Sequence, residues 1–173
     1  MPVSLSAFRV AQVIGVGATT WLSGNIASIS LFSATALERS VSHDSMPAVL
    51  AARQWKYTLE QGKPNPPTAV LSAALFAFCA WTEMQQAPSH CGSWLNAAAS
   101  ACTFGMIPYT IIWIFPLNRR LIEIAGQSMN EDEPASASRA EVRQLLCRWR
   151  ALNWIRSMFP LAASCLAFAA TIE

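Results

Sequence analysis

Long uncharged stretches alternate with short polar ones along this chain. Val10–Leu37, Pro64–Thr82 and Ser157–Ile172 hold no Asp, Glu, Lys or Arg, and Met84–Asn118 holds only His90 as a titratable base. A bilayer-spanning helix needs about 20 mostly apolar residues. The pattern therefore predicts an all-α integral membrane protein, a four-transmembrane-helix bundle with spans at about 10–37, 66–84, 93–116 and 150–171. A soluble bundle would need charged faces at helical period, and the polar positions of Val10–Leu37 are mostly Ser, Thr and Gly. Its apolar run exceeds the 7–15 residues of a signal-peptide core, with Arg9 alone before it, so the expectation is a retained span.

The first polar stretch contains a helix of its own, at about 46–61. Ser45 and Pro47 supply start signals and Gly62 a stop. Ala48, Ala52, Trp55 and Leu59 form one stripe, with Arg53, Lys56 and Glu60 on another. That amphipathic pattern suits a helix in the membrane interface, with Trp55 and Tyr57 at headgroup depth. Ser128–Ser138 (SMNEDEPASAS) reads as a flexible loop. Pro108 and Pro160 should bend the third and fourth spans.

Composition agrees with lipid as part of the solvent: 53% of residues are hydrophobic and 13% charged, the latter about half the soluble average. The length fits a single membrane domain. All 12 Lys and Arg except Arg9 and Arg156 fall in or beside the first and third connections. The positive-inside rule then makes loops one and three cytoplasmic. A net charge of +2 forms no basic groove and implies no nucleic acid. The 5 cysteines are scattered without a CxxC pair, a pattern that supports neither a disulfide scaffold nor a thiol relay.

Candidate chemistry gathers at the cytoplasmic mouth. The segment Ile107–Leu121, IPYTIIWIFPLNRRL, runs from an aromatic apolar span straight into Asn118, Arg119 and Arg120. In span four, Trp149, Asn153, Arg156 and Pro160 share one helical face. Trp55 and Tyr57 come from loop one on the same side of the membrane. Aromatic walls with amide and cationic donors suit a flat, phenolic, anionic molecule. Each residue singly also reads as a membrane anchor. In span one, Trp21, Asn25, Ser28 and Phe32 share a face, with Gly24 permitting close approach. Asn25 reads as interhelical glue or as a ligand contact.

His43 and His90 lie on opposite faces of the expected bilayer, about 30 Å apart, so they cannot share a metal. His90-Cys91 offers two ligands where zinc or copper wants three or four. No nucleotide, haem or flavin signature occurs, so an enzyme here is expected to work without a cofactor.

SGNIASISLFS, QWKYTLEQG, IPYTIIWIFPLNRRL and LLCRWRALNWIRSMFPLA occur in that order. In that order they resemble the DUF1772 family, whose characterised fungal members are anthrone oxygenases. The resemblance runs from about Gly15 to Ala169. It implies a monooxygenase that converts a polyketide anthrone to an anthraquinone with dioxygen, in secondary-metabolite biosynthesis. The fitting location is a multi-pass protein of the endoplasmic reticulum. On this reading Asn118, Asn153 and Arg156 are oxyanion donors, and Trp55, Tyr57 and Trp149 are walls. Arg120 adds a substrate contact, and Asn25 reaches the far end of the substrate. The proton acceptor stays open among His43, Tyr57, Glu38 and Asp44. A non-catalytic membrane scaffold of a polyketide pathway is the alternative.

Overall fold

A computed structural model describes residues 5–86, 91–127 and 138–172, and every regular element among them is helical. The helices are α1 (Leu5–Ser28), α2 (Thr35–His43), α3 (Ala48–Gln61), α4 (Asn65–Gln86), α5 (Cys91–Tyr109), α6 (Phe115–Ala125) and α7 (Arg139–Ala169). Two π-helical segments, Ile29–Ala34 and Thr110–Ile114, join α1 to α2 and α5 to α6. The stretches Ala48–Gln86 and Cys91–Ala125 are long and apolar enough to cross a membrane. His90 and nearly all of the loop expected at 128–138 lie outside the described residues.

The chain divides into two compact units. Unit 1 comprises Met1–Asn25, Pro64–Pro108 and Arg156–Glu173, and unit 2 comprises Ile26–Lys63 and Tyr109–Ile155.

Inside unit 1, small and polar side chains are buried: Gly15, Thr19, Ser23, Ala69, Ser72, Ala73, Asn96, Ala99, Ser157, Ala163 and Ala167. Hydroxyls hold neighbouring helices together. Thr20 Oγ1 and Ser164 Oγ lie 2.7 Å apart, Ser23 Oγ donates to Ser157 O at 2.9 Å, and Ser100 Oγ donates to Ala73 O at 2.8 Å. Large apolar groups face outward instead, among them Val13, Trp21, Leu71, Trp81, Trp94 and Phe104.

The close approach falls at Gly15, not at Gly24 as expected. A Cβ at Gly15 would sit 2.7 Å from Phe76 Cε1, whereas one at Gly24 meets nothing within 4 Å. Phe76 is fully buried and has no room to swing away. Gly15→Val is expected to destabilise the protein by about 1–3 kcal/mol through overpacking. Gly24→Ala should be near neutral. Thermal unfolding in detergent compares the two, and equal midpoints would contradict the packing described.

Unit 2 is built around one apolar cluster. Leu37 and Val41 of α2, Ala48, Ala51, Ala52 and Trp55 of α3, Leu117, Leu121 and Ile124 of α6, and Val142, Leu146 and Trp149 of α7 are all buried together. α3 has Pro47 as its N-cap residue and Gly62 as its C-cap residue, as the sequence signals indicate. Arg53 ties it to the end of α6: Nε donates to Ala125 O at 3.0 Å and Nη2 to Gln127 O at 2.8 Å. These carbonyls have no intrahelical donor, and a guanidinium satisfies them.

The π-helical turns have local causes. Pro116 has no N–H to offer the ladder. The segment before it reorganises, and Phe115 N–H reaches back five residues to Thr110 O. In the other segment, Thr35 Oγ1 donates to Ser30 O at 3.1 Å and Ser30 Oγ to Ile26 O at 3.3 Å. The expected irregularity at Pro108 therefore begins at Thr110, just past it. Helix α7 continues through Pro160.

Candidate active site

Trp149, Arg150, Leu152 and Asn153 of α7 provide several of the hydrogen-bonded connections of unit 2. Trp149 Nε1 donates to Asn118 Oδ1 on α6 at 2.8 Å. Arg150 reaches α2, with Nη1 donating to Thr35 Oγ1 at 3.2 Å and Nη2 lying 3.3 Å from Glu38 Oε2. Leu152 O accepts from Tyr109 Oη of α5 at 3.2 Å. Asn153 Nδ2 donates to Ile26 O at 3.1 Å and to Ser30 Oγ at 2.7 Å. Four helices and the π-helical segment Ile29–Ala34 thus converge on little more than one turn of helix, and the other π-helical segment begins next to Tyr109. Such segments occur frequently at functional sites.

Trp149 also packs edge-on against Trp55, with centroids 5.7 Å apart and planes at 88°. Edge-to-face contact places the positive rim of one ring on the negative face of the other. Both indoles are 1% exposed, and Trp55 Nε1 is buried without a hydrogen-bond partner.

This geometry changes several expected roles. Protein, not lipid headgroups, covers Trp55, because the apolar stripe of α3 is buried in the cluster with α6 and α7. Tyr57 is 63% exposed. Two residues along a helix is about 200° of rotation, so burial of Trp55 turns Tyr57 away from the other residues. Asn153 cannot donate to a ligand while both its N–H groups are in use. The Ile26 carbonyl can only accept, which fixes the nitrogen end of the amide. The remaining atom, Asn153 Oδ1, is buried and without a partner, and it is an acceptor. Arg120 is taken by acidic neighbours, with Nη2 2.8 Å from Glu141 Oε1 and Nη1 3.5 Å from Glu123 Oε2. The Glu141 hydrogen bond raises the pKa of Arg120 above its ordinary value.

Asn118 is half-buried, and its Oδ1 serves Trp149. Its Nδ2 makes no hydrogen bond among the described residues, which leaves two donors for a ligand. Asn25 and Arg156 are both half-buried and belong to unit 1, apart from the connections of unit 2. In the first span the inward stripe is Thr19, Ser23, Ile26 and Ser30, whereas Trp21 and Phe32 are 49% and 71% exposed. The face containing Asn25 is thus not the buried one.

Of the other base candidates, His43 and Asp44 are exposed and the Glu38 side chain is 19% exposed. Sequence reasoning passes over Tyr109, Ser30, Thr35 and Arg150. Tyr109 carries a signal, as a phenol within an otherwise apolar span; the two hydroxyl residues carry none. Among the described residues, no three His, Cys, Asp or Glu side chains come together as a metal-binding group.

The chain matches the anthrone oxygenase family model over residues 55–166. It is 30% identical over 170 residues to anthrone oxygenase encC of Aspergillus fumigatus, covering 93% of this chain and 92% of that one. It is 32% identical over 120 residues to anthrone oxygenase ptaC of Pestalotiopsis fici, covering 69% and 83% of the two chains. A noranthrone monooxygenase of Aspergillus flavus is 30% identical over 113 residues, 64% of this chain and 51% of the relative. No solved structure matches. Well over half the chain matches the family model, and the similarity to encC extends along nearly all of it: the chain belongs to the anthrone oxygenase family.

Proposed function

We propose that this protein is an integral membrane oxidoreductase that converts a polyketide anthrone to an anthraquinone with dioxygen. The observation that carries this reading is membership of the family over most of the chain.

The chemistry needs little from the protein. The central methylene of an anthrone (C10) loses a proton because the resulting anion is an extended phenolate-like enolate. That anion passes one electron to dioxygen, and recombination of the radical pair gives a hydroperoxide at C10. Loss of water then leaves the quinone carbonyl. No metal, haem or flavin is required by this sequence of steps.

Within unit 2, Asn118 is the oxyanion donor, because its Nδ2 is uncommitted while Trp149 holds its Oδ1. A donor already aimed before the charge develops stabilises it at no further cost of reorganisation. Asn153 acts through Oδ1, accepting from a phenolic hydroxyl of the substrate. Arg120 is committed to Glu123 and Glu141 and is given no part in this site, and Trp149 with Trp55 forms the rigid support behind Asn118.

Lipid surrounds the protein on this reading, with four spans and with loops one and three in the cytoplasm. The outward large apolar side chains of unit 1 support it, since exposed apolar surface of that extent needs a cover. So do the helical stretches Ala48–Gln86 and Cys91–Ala125. A multi-pass protein of the endoplasmic reticulum fits.

Purified protein in detergent, incubated with emodin anthrone and oxygen, should form the quinone well above the spontaneous rate. One dioxygen should be consumed per quinone formed. Quinone formation at the background rate would rule out the enzyme and favour a scaffold. Metal analysis of the active sample accompanies the assay, and stoichiometric iron or copper would contradict the cofactor-free mechanism.

A further inference from the structure

We infer that Glu38, held by Arg150, is the general base that removes the C10 proton, an assignment that rests on the anthrone-oxidation reading above.

The described carboxylates of unit 2 separate clearly by surroundings. Asp44 and Glu60 are exposed. Glu123 and Glu141 are both engaged by Arg120. Glu38 alone among them is sheltered and directed at the α7 turn: its side chain is 19% exposed, and Oε2 lies 3.3 Å from Arg150 Nη2. That oxygen is buried and accepts no hydrogen bond of regular geometry. Its lone pairs are therefore not occupied by a fixed N–H or O–H, which a proton acceptor requires.

Glu38 also stands in line with the donor groups. Arg150 donates to Thr35 Oγ1 at 3.2 Å, Thr35 Oγ1 donates to Ser30 O at 3.1 Å, and Asn153 Nδ2 donates to Ser30 Oγ at 2.7 Å. Polar contacts thus run from Glu38 past the π-helical segment to Asn153. Trp149, adjacent in sequence to Arg150, holds Asn118 on α6. A base and an oxyanion donor are set by neighbouring residues of α7. Arg150 is a positioning residue: Nη1 donates to Thr35 Oγ1, while Nη2, 3.3 Å from Glu38 Oε2, attracts the carboxylate by charge without a hydrogen bond of regular geometry.

The charged surroundings of Glu38 are simple. Arg150 faces it from α7. Arg39 on the same helix and Arg148 on α7 are exposed. Arg53 of α3, which packs against α2, is turned to the Ala125 and Gln127 carbonyls.

The C10–H bond breaks, its proton goes to the Glu38 carboxylate, and its electron pair delocalises onto the C9 oxygen. Dioxygen takes one electron and recombines at C10. The protonated Glu38 then returns its proton to the peroxide anion. In the last step the carboxylate removes the second C10 proton as the O–O bond breaks. Hydroxide leaves and takes that proton back as water, and Glu38 is regenerated.

Glu38→Gln keeps the side-chain shape, gives up the charge that attracts Arg150 and cannot accept the proton. With emodin anthrone at neutral pH it is expected to lose on the order of 100-fold or more in kcat. A substrate deuterated at C10 should show a larger kinetic isotope effect with the variant than with the natural protein. Raising the pH until the anthrone ionises in solution should bring the variant back toward the natural rate, because the enolate then arrives preformed. A purely structural role would not produce that recovery. Glu38→Asp, which keeps a carboxylate, is expected to retain partial activity if Glu38→Gln does not fold. A Glu38→Gln protein within threefold of the natural rate overturns the inference, as does a loss that high pH does not repair. In the Asp variant, an unchanged rate and isotope effect would overturn it too. Natural protein without activity would instead overturn the oxidation reading itself, so the two failures are distinct.

Discussion

Asn118→Asp is expected to lower kcat/KM for anthrone oxidation by about 100- to 1,000-fold, the usual effect of removing one oxyanion donor, with the fold retained. The substitution is nearly isosteric. The introduced carboxylate would still accept the hydrogen bond from Trp149 Nε1, which Asn118 Oδ1 now accepts at 2.8 Å. What changes is the other end, where two N–H donors become a carboxylate oxygen that repels the enolate. Asn118→Ala removes donor and acceptor together, so it should lose activity and also destabilise the unit by about 1–3 kcal/mol, because the buried indole N–H is orphaned. The comparison separates chemistry from support. Steady-state kinetics with emodin anthrone, beside thermal unfolding in the same detergent, supplies both numbers. If Asn118→Asp is as active as the natural protein, Asn118 donates nothing to the transition state.

The largest stability effect should come from Trp149→Ala, at about 3–5 kcal/mol, the range for deleting a buried tryptophan. Trp149 is 1% exposed, packs edge-on against Trp55, and secures Asn118. Unfolding in a micelle leaves many helices formed, so the low end of that range is the expected one. Trp149→Phe should cost less, since it keeps ring packing and loses chiefly the hydrogen bond. Denaturant or thermal titration in detergent measures the series. An alanine variant with an unchanged midpoint would mean that the Trp55–Trp149 contact does not hold the unit together.

These two residues also show how far the sequence can be read. Spacing alone assigns Trp149 and Asn153 to an inward face, and both are buried. The reading works on α7 because its opposite positions include Arg143, Arg148 and Cys147, which leaves one apolar stripe to bury. The same reasoning chooses the wrong face in the first span. There Trp21, Asn25, Ser28 and Phe32 share one face, and Thr19, Ser23, Ile26 and Ser30 lie largely on another. The second face is the buried one. Where lipid can be the outer solvent, Trp and Phe go outward and small hydroxyl residues go inward, so polarity no longer marks the surface. Helix α3 departs from expectation differently. Its apolar stripe is as read, but periodicity cannot tell whether protein or an interface covers a stripe. Protein covers Trp55, and Tyr57 is thereby turned outward.

Residue order alone was enough for the helical class, the limits of α3 at Pro47 and Gly62, and the family. All three rest on local chemistry or on the succession of motifs, which tertiary contacts do not alter. Packing was needed to settle which amide end is spent and which is open. Asn118 and Asn153 have identical side chains, yet one is left with donors and the other with an acceptor. The reason is that Trp149 supplies a donor to one, while the Ile26 carbonyl and the Ser30 hydroxyl accept from the other. Likewise the partner of Glu38, Arg150, comes from 112 positions later in the chain (150 − 38). Partners so distant in sequence leave no periodic trace, so their chemistry becomes legible only when the helices are packed.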